Sequence, residues 1–210
     1  MNKFRLPKLY PLTDATLSGL SHAVQVERFI AGGAEIIQLR EKHLLPQDFF
    51  EVALESVKIA RRHRTKIIIN DRVDVALASK ADGVHLGQTD LPPSAARQIL
   101  GENAIIGLST HSVEQAVKAL REPIDYIAIG PIFETTTKEN PADVLGLEKL
   151  KLVRTAIKDF ALVAIGGITR ENACSVIEAG ADSAAVISAL FKEQSDLARS
   201  IQNFNSLLNA

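Results

Sequence analysis

The 210-residue chain carries a formal net charge of −1 and has a sequence pI near 6.5. Such a balance gives no basic field, which excludes nucleic acid and anionic membranes as natural partners. No apolar run approaches the roughly 18 residues that span a bilayer, and the single cysteine cannot form an intrachain disulfide.

Length favours one compact domain over 1–210. Residues 1–7 lack the apolar stretch of a signal peptide, and the cysteine usage fits a reducing, cytoplasmic setting. In chain order, eight short apolar runs stand out: 8–13, 35–40, 66–70, 83–87, 105–109, 126–130, 162–166 and 183–188. Each leads through a polar or glycine turn into helical spacing, such as Phe49, Val52, Ala53, Val57 and Ala60 after the second. Pro46 and Pro92-Pro93 mark helix starts, and Gly32-Gly33, Gly101 and Gly180 mark stops. The stretch 73–82 leaves room for only a brief helix. Consecutive apolar positions, as in Ile67-Ile68-Ile69, are what a strand covered on both faces requires. Eight such units predict an α/β fold, a (β/α)8 barrel, with an open doubly wound sheet as the runner-up.

A barrel collects its chemistry where the strands end. Gln38 and Arg40 share one face at period two, with Lys42 just beyond. Arg offers a fork and Lys a point charge to phosphate, although a solvated strand end pairing with Glu41 is the plainer alternative. Asn70-Asp71 and Gln88-Thr89-Asp90 close the third and fourth runs. Asp71 and Asp90 on neighbouring strand ends suit a hard divalent cation such as Mg2+, though each also stands where a helix could start. Asp74 reads as a partner of Arg72. Ser109-Thr110-His111 ends the fifth run. After the sixth, Thr135 and Thr137 alternate beside Lys138 in a long loop expected to act as a lid that clamps phosphate or a leaving group. Gly166-Gly167 after the seventh run and Ile187-Ser188 after the eighth match the phosphate-binding device of these barrels, glycine letting backbone N–H groups approach the anion. Cys174 is expected to be buried and inert, and His22, His43 and His63 to be surface residues. His85 reads as a hydrogen-bonded core group, and His111 as either a substrate contact or a support.

Gln38-Leu39-Arg40-Glu41-Lys42, Ile69-Asn70-Asp71-Arg72-Val73-Asp74, Gly83-Val84-His85-Leu86-Gly87-Gln88-Thr89-Asp90, Ser109-Thr110-His111-Ser112, Gly130-Pro131-Ile132-Phe133-Glu134-Thr135-Thr136-Thr137-Lys138 and Ala164-Ile165-Gly166-Gly167-Ile168 together resemble the thiamine phosphate synthase family across nearly the whole chain. The resemblance implies a Mg2+-dependent transferase that joins an aminopyrimidine diphosphate to a thiazole phosphate and releases pyrophosphate. It implies that Gln38, Arg40, Lys42, Asn70, Ser109 and Lys138 hold the pyrimidine diphosphate, with Lys138, Arg40 and Ser109 carrying the reaction. Asp71 and Asp90 would bind Mg2+; Thr135, Thr137, Gly167, Ile187 and Ser188 would receive the thiazole phosphate. The partners expected are these small molecules, with the chain a monomer or a homo-oligomer. The rival enzyme is the related thiazole tautomerase, which lacks the full metal and diphosphate set; Asp90 and Lys138 favour the transferase. A ligand-sensing barrel without turnover is the rival from another class.

Overall fold

In the computed structural model, which describes residues 5–135, 137, 143–192 and 196–210, eight parallel strands close into a barrel in sequence order. They are β1 (Leu9–Thr13), β2 (Ile36–Leu39), β3 (Lys66–Asn70), β4 (Gly83–Leu86), β5 (Ile105–Thr110), β6 (Tyr126–Ile129), β7 (Leu162–Ile165) and β8 (Ser183–Val186). The helices α1 (Ala15–Ser18) and α2 (His22–Ala31) follow β1, and α3 (Pro46–Arg62) follows β2. After the next strands come α4 (Val73–Ser79), α5 (Pro93–Leu100), α6 (Val113–Ala119), α7 (Gly146–Ile157), α8 (Ala173–Glu178) and α9 (Leu197–Asn209). The expected (β/α)8 architecture is therefore present, and the open sheet is not.

Strand alternation explains the unbroken apolar runs. Ile67 and Ile69 face the helices in one core cluster, while Ile68 points into the barrel with Tyr10, Leu12, Ile36, Tyr126, Ala128 and Val163 in a second. The same phase turns Gln38, Asn70, His85 and Ser109 inward near the upper end of the barrel. Gly107 is required by what it faces: a Cβ there would come within 2.1 Å of the Tyr126 ring.

At the amino end of the barrel one device recurs three times. Asp82, Asp125 and Asp182 each precede an even strand and accept from the backbone N–H of Ile67, Ile106 and Leu162 on the strand before. Each also holds a cation, from Lys66, Arg97 and Arg154 respectively. Backbone and side chain together fix strand register at the end away from the mouth.

Some expectations shift. The eighth strand stops at Val186, because Ile187 leaves the extended region (φ −123°, ψ −87°) and Ser188–Leu190 winds into a 3-10 turn. His22 is not a surface residue: it is 2% exposed, since it lies on the apolar face of α2 with its ring turned toward β1. Cys174 is half-buried, packed at the edge of the core with its thiol near the Leu207 carbonyl.

Candidate active site

The mouth is built first around β1 and β2. Asp14 caps α1 by accepting from the Leu17 N–H through Oδ1 (3.0 Å), and its Oδ2 accepts from Arg40 Nη1 (2.8 Å). Gln25, fully buried on α2, holds the Asp14 backbone N–H (3.0 Å). Arg40 is thereby anchored at the end of β2, with its side chain 16% exposed. Glu41 serves neither Arg40 nor the Lys42 ammonium. Its Oε2 meets His22 Nε2 (2.9 Å), whose Nδ1 meets Thr13 Oγ1 (2.7 Å). Glu41 Oε1 gathers the N–H groups of Lys42, His43 and Leu44. Burial alone would raise the Glu41 pKa, but His22 and the loop N–H groups prevail and lower it from 4.5 to about 2. A carboxylate depressed in the fold stabilises above its unfolded pKa, and that stability is lost as pH falls from 4.5 toward 2. Glu41→Gln is therefore expected to lower the melting temperature at neutral pH, with the gap to the parent closing across that acid window. A gap that is constant with pH would assign the loss to packing.

The next sector lies at the ends of β3 and β4. Asn70 pairs with His85 across the ladder, and Asp71 turns out of the strand in the left-handed region (φ +64°), its N–H donating to the His85 carbonyl (2.8 Å). Asp71 does not cap α4, whose start at Arg72 has no side-chain cap. Instead Asp71 Oδ2 accepts from Lys42 Nζ (2.5 Å). Asp90 folds back so that its Oδ2 accepts from the Gly87 N–H (2.7 Å), and its carboxyl lies against that of Asp71. Burial raises the Asp90 pKa, and the Asp71 charge adds to this against the opposing pull of the Gly87 N–H and Lys42. Arg72 and Asp74 pair with each other (2.8 and 2.5 Å), as expected.

Further round, Asn70 is buried, and its carboxamide has no hydrogen-bond partner among the described residues. Ser109 Oγ meets His85 Nε2 (2.8 Å), and the Ser109 carbonyl accepts from Gln88 (2.6 Å). His85 is the buried, hydrogen-bonded group expected, and burial lowers its pKa to about 4, so the ring is neutral. His111 Nδ1 donates to the Gly130 carbonyl (2.6 Å) beside the cis Gly130–Pro131 peptide.

Thr135 and Thr137 are half-buried, with the Thr137 N–H donating to Thr135 Oγ1 (3.3 Å). Lys138 lies outside the described residues, as do 136 and 139–142 of the expected lid. Gly166 (φ +99°) and Gly167 (φ +65°) follow β7. A Cβ on Gly167 would meet the Glu134 carbonyl oxygen at 2.4 Å and Phe133 Cβ at 2.8 Å, so the β6–α7 loop fills that space. Gly167→Ala is thus expected to cost on the order of 2 kcal/mol in backbone strain alone. Melting should fall by roughly 4–8 °C; an unchanged melting curve would show that the loop adapts freely. Ile187 is half-buried and Ser188 exposed on the neighbouring 3-10 turn. A cavity of about 550 Å3 opens at the opposite end, lined by Arg5, Glu35, His63, Arg64 and Lys66, away from the strand ends that bear these groups.

Residues 9–190 match the family model described as thiamine monophosphate synthase. The chain belongs to that family. It is 47% identical over 184 residues to a thiamine-phosphate synthase of Chloroflexus aurantiacus, covering 87% of this chain and 84% of that protein. The corresponding protein of Methanocella arvoryzae is 42% identical over 202 residues, covering 96% and 94%. Among solved structures, thiamine phosphate pyrophosphorylase from Pyrococcus furiosus superposes with a TM-score of 0.87 at 36% identity, covering 96% of this chain and 95% of that one. The family expectation from the sequence motifs is thus borne out. In this member of the thiamine monophosphate synthase family, sequence reasoning missed the Asp14–Arg40 and His22–Glu41 pairs, and it missed the two tyrosines of the barrel interior. The tyrosines left a signal: both of the chain's Tyr residues fall on strands, and a buried phenol needs a hydrogen-bond partner.

Proposed function

We propose that the chain, acting as one barrel domain over 1–210, condenses an aminopyrimidine diphosphate with a thiazole phosphate to give thiamine phosphate and pyrophosphate. One observation carries the site assignment: at the carboxyl ends of β2–β4 the Lys42 ammonium rests on Asp71, whose carboxyl lies against that of Asp90, while Arg40 at the end of the same strand β2 is held by Asp14. That donor set fits Mg2+, which takes one or two carboxylates and completes its shell with phosphate oxygens and water. The Lys42 ammonium resting on Asp71 is the balance expected of a carboxylate pair built to face positive charge. Among the described residues no cluster of three or more His, Cys, Asp or Glu forms, so water or substrate oxygens would complete the shell. Asp71 and Asp90 would hold the ion. When bound, it would offset charge on the departing diphosphate.

The chain's own residues do the remainder. Arg40 is held by Asp14 with its guanidinium at the mouth, and can present two N–H groups to a diphosphate. Lys42 can pass from Asp71 to the same anion, and Lys138 is assigned the leaving group from the loop after β6. Gln38, Asn70 and Ser109 line the upper barrel, where a neutral pyrimidine needs donors and acceptors. Thr135, Thr137, Gly167, Ile187 and Ser188 are assigned the thiazole phosphate. The thiazole nitrogen is itself the nucleophile, so no general base is required, and the neutral His85 is engaged elsewhere. The carbon–oxygen bond to pyrophosphate breaks, the thiazole nitrogen forms the new carbon–nitrogen bond, and preorganised cations lower the cost of the charge that leaves.

The deciding experiment measures pyrophosphate release with both substrates, with and without Mg2+. Metal-dependent release that requires both substrates is expected. Isomerisation of a thiazole without release would give the tautomerase instead, and binding without turnover would leave a sensor.

A further inference from the structure

Beneath the mouth a file of hydrogen bonds crosses the barrel from β2 to β5. Gln38 Nε2 donates to Tyr10 Oη (3.3 Å), Tyr10 Oη meets Tyr126 Oη (3.1 Å), and Tyr126 Oη meets His85 Nδ1 (2.9 Å). His85 Nε2 then meets Ser109 Oγ (2.8 Å). Four of the five side chains are buried; only Ser109 is partly open to solvent. The Tyr126 ring is stacked on His85 (centroids 5.5 Å, planes at 20°) and edge-on to Tyr10 (6.0 Å, 74°). It fits only because Gly107 opposite has no side chain.

The arrangement that uses both phenol protons within the file gives it a direction. A carboxamide nitrogen can only donate, and each phenol has one proton, which burial holds firmly. Tyr10, accepting from Gln38, directs its proton to Tyr126. Tyr126, accepting from Tyr10, directs its own to His85 Nδ1. In that arrangement the imidazole carries its proton on Nε2 and donates it to Ser109 Oγ. Ser109, with that lone pair engaged, turns its hydroxyl proton elsewhere, and no second protein partner for Oγ occurs among the described residues.

We propose that Tyr10 and Tyr126 are positioning residues that fix His85 as the Nε2–H tautomer, so that Ser109 is presented to the pyrimidine substrate as a hydrogen-bond donor. The inference rests on the assignment of Ser109 as a substrate contact. It makes the file a one-way polar chain in which each bond strengthens the next, and it predicts a substrate acceptor, not a donor, at the Ser109 position.

Two measurements test it. In the parent protein at neutral pH, nitrogen-15 NMR of His85 should show Nε2 protonated and Nδ1 accepting. A Nδ1-protonated ring would overturn the proposal whatever the protein's activity. Tyr126→Phe removes one oxygen and keeps the stacked ring. It should release the tautomer to a mixture and lower turnover roughly tenfold, the worth of one buried hydrogen bond, with the Mg2+ requirement unchanged. In a Ser109→Ala background the same change should have no further effect on turnover. An equal loss in both backgrounds would make Tyr126 a packing residue and refute the positioning role. A parent that releases no pyrophosphate would defeat the proposed function instead, and the NMR result would stand apart from it.

Discussion

Asp90→Asn is expected to raise the Mg2+ concentration for half-maximal turnover roughly tenfold or more, since even outer-shell partners of a metal cost that much. Turnover should fall on the order of 10²-fold, the scale of losing one preorganised electrostatic contact. The substitution is close to isosteric, and its carbonyl oxygen can still accept from the Gly87 N–H, so the turn after β4 should persist. It also removes one of two like charges lying against each other. The ligand-free variant should therefore melt no lower than the parent, while Mg2+ with the pyrimidine diphosphate should stabilise it less. A magnesium titration identical to the parent's would remove Asp90 from the metal site.

Arg40→Ala is expected to lower kcat/KM for the pyrimidine diphosphate on the order of 10²-fold. The cost has two parts: the diphosphate loses a two-pronged donor, and Asp14, only 10% exposed, loses its counter-charge at the mouth. Arg40→Lys restores charge but not the planar fork, so it should recover only part of the loss. Steady-state kinetics with varied pyrimidine diphosphate at saturating thiazole phosphate would measure both. A loss within a few-fold for alanine would make Arg40 a scaffold residue for the β1–α1 turn.

The sequence made this site legible wherever function follows strand phase. Gln38 and Arg40 alternate with Leu39, and Asp71 and Asp90 each follow an apolar run, so position along a parallel strand was enough to bring them to one rim. The barrel was legible for the same reason: consecutive Ile67-Ile68-Ile69 needs cover on two faces, and the two core clusters supply it. What stayed hidden depends on contacts distant in sequence. Asp14 drew no reading because its partner stands 26 residues on. His22 looked exposed because helical spacing cannot show that a ring reaches inward between Thr13 and Glu41. The Tyr10–Tyr126 contact joins strands 116 residues apart. Gly167 was legible as glycine, but the neighbouring loop that occupies the missing side chain's place was not.

The aspartate clamps at the amino end tie β3 to β4, β5 to β6 and β7 to β8. Among the described residues β1 and β2 have no such clamp; their side-chain ties are Gln38 with Tyr10 inside the barrel, Thr13 with the Gln38 carbonyl and the Arg40 N–H, and Asp14 with Arg40 at the opposite rim. Three strand pairs are therefore secured by groups that take no part in the proposed chemistry. The first pair is secured in part by the arginine assigned to the substrate. Any diphosphate that draws Arg40 from Asp14 removes one tie from a seam that has no such clamp at its base. Ligand affinity and the local stability of that seam are thus set against each other, and a substitution that tightens the Asp14–Arg40 pair should hold the barrel at the expense of substrate capture.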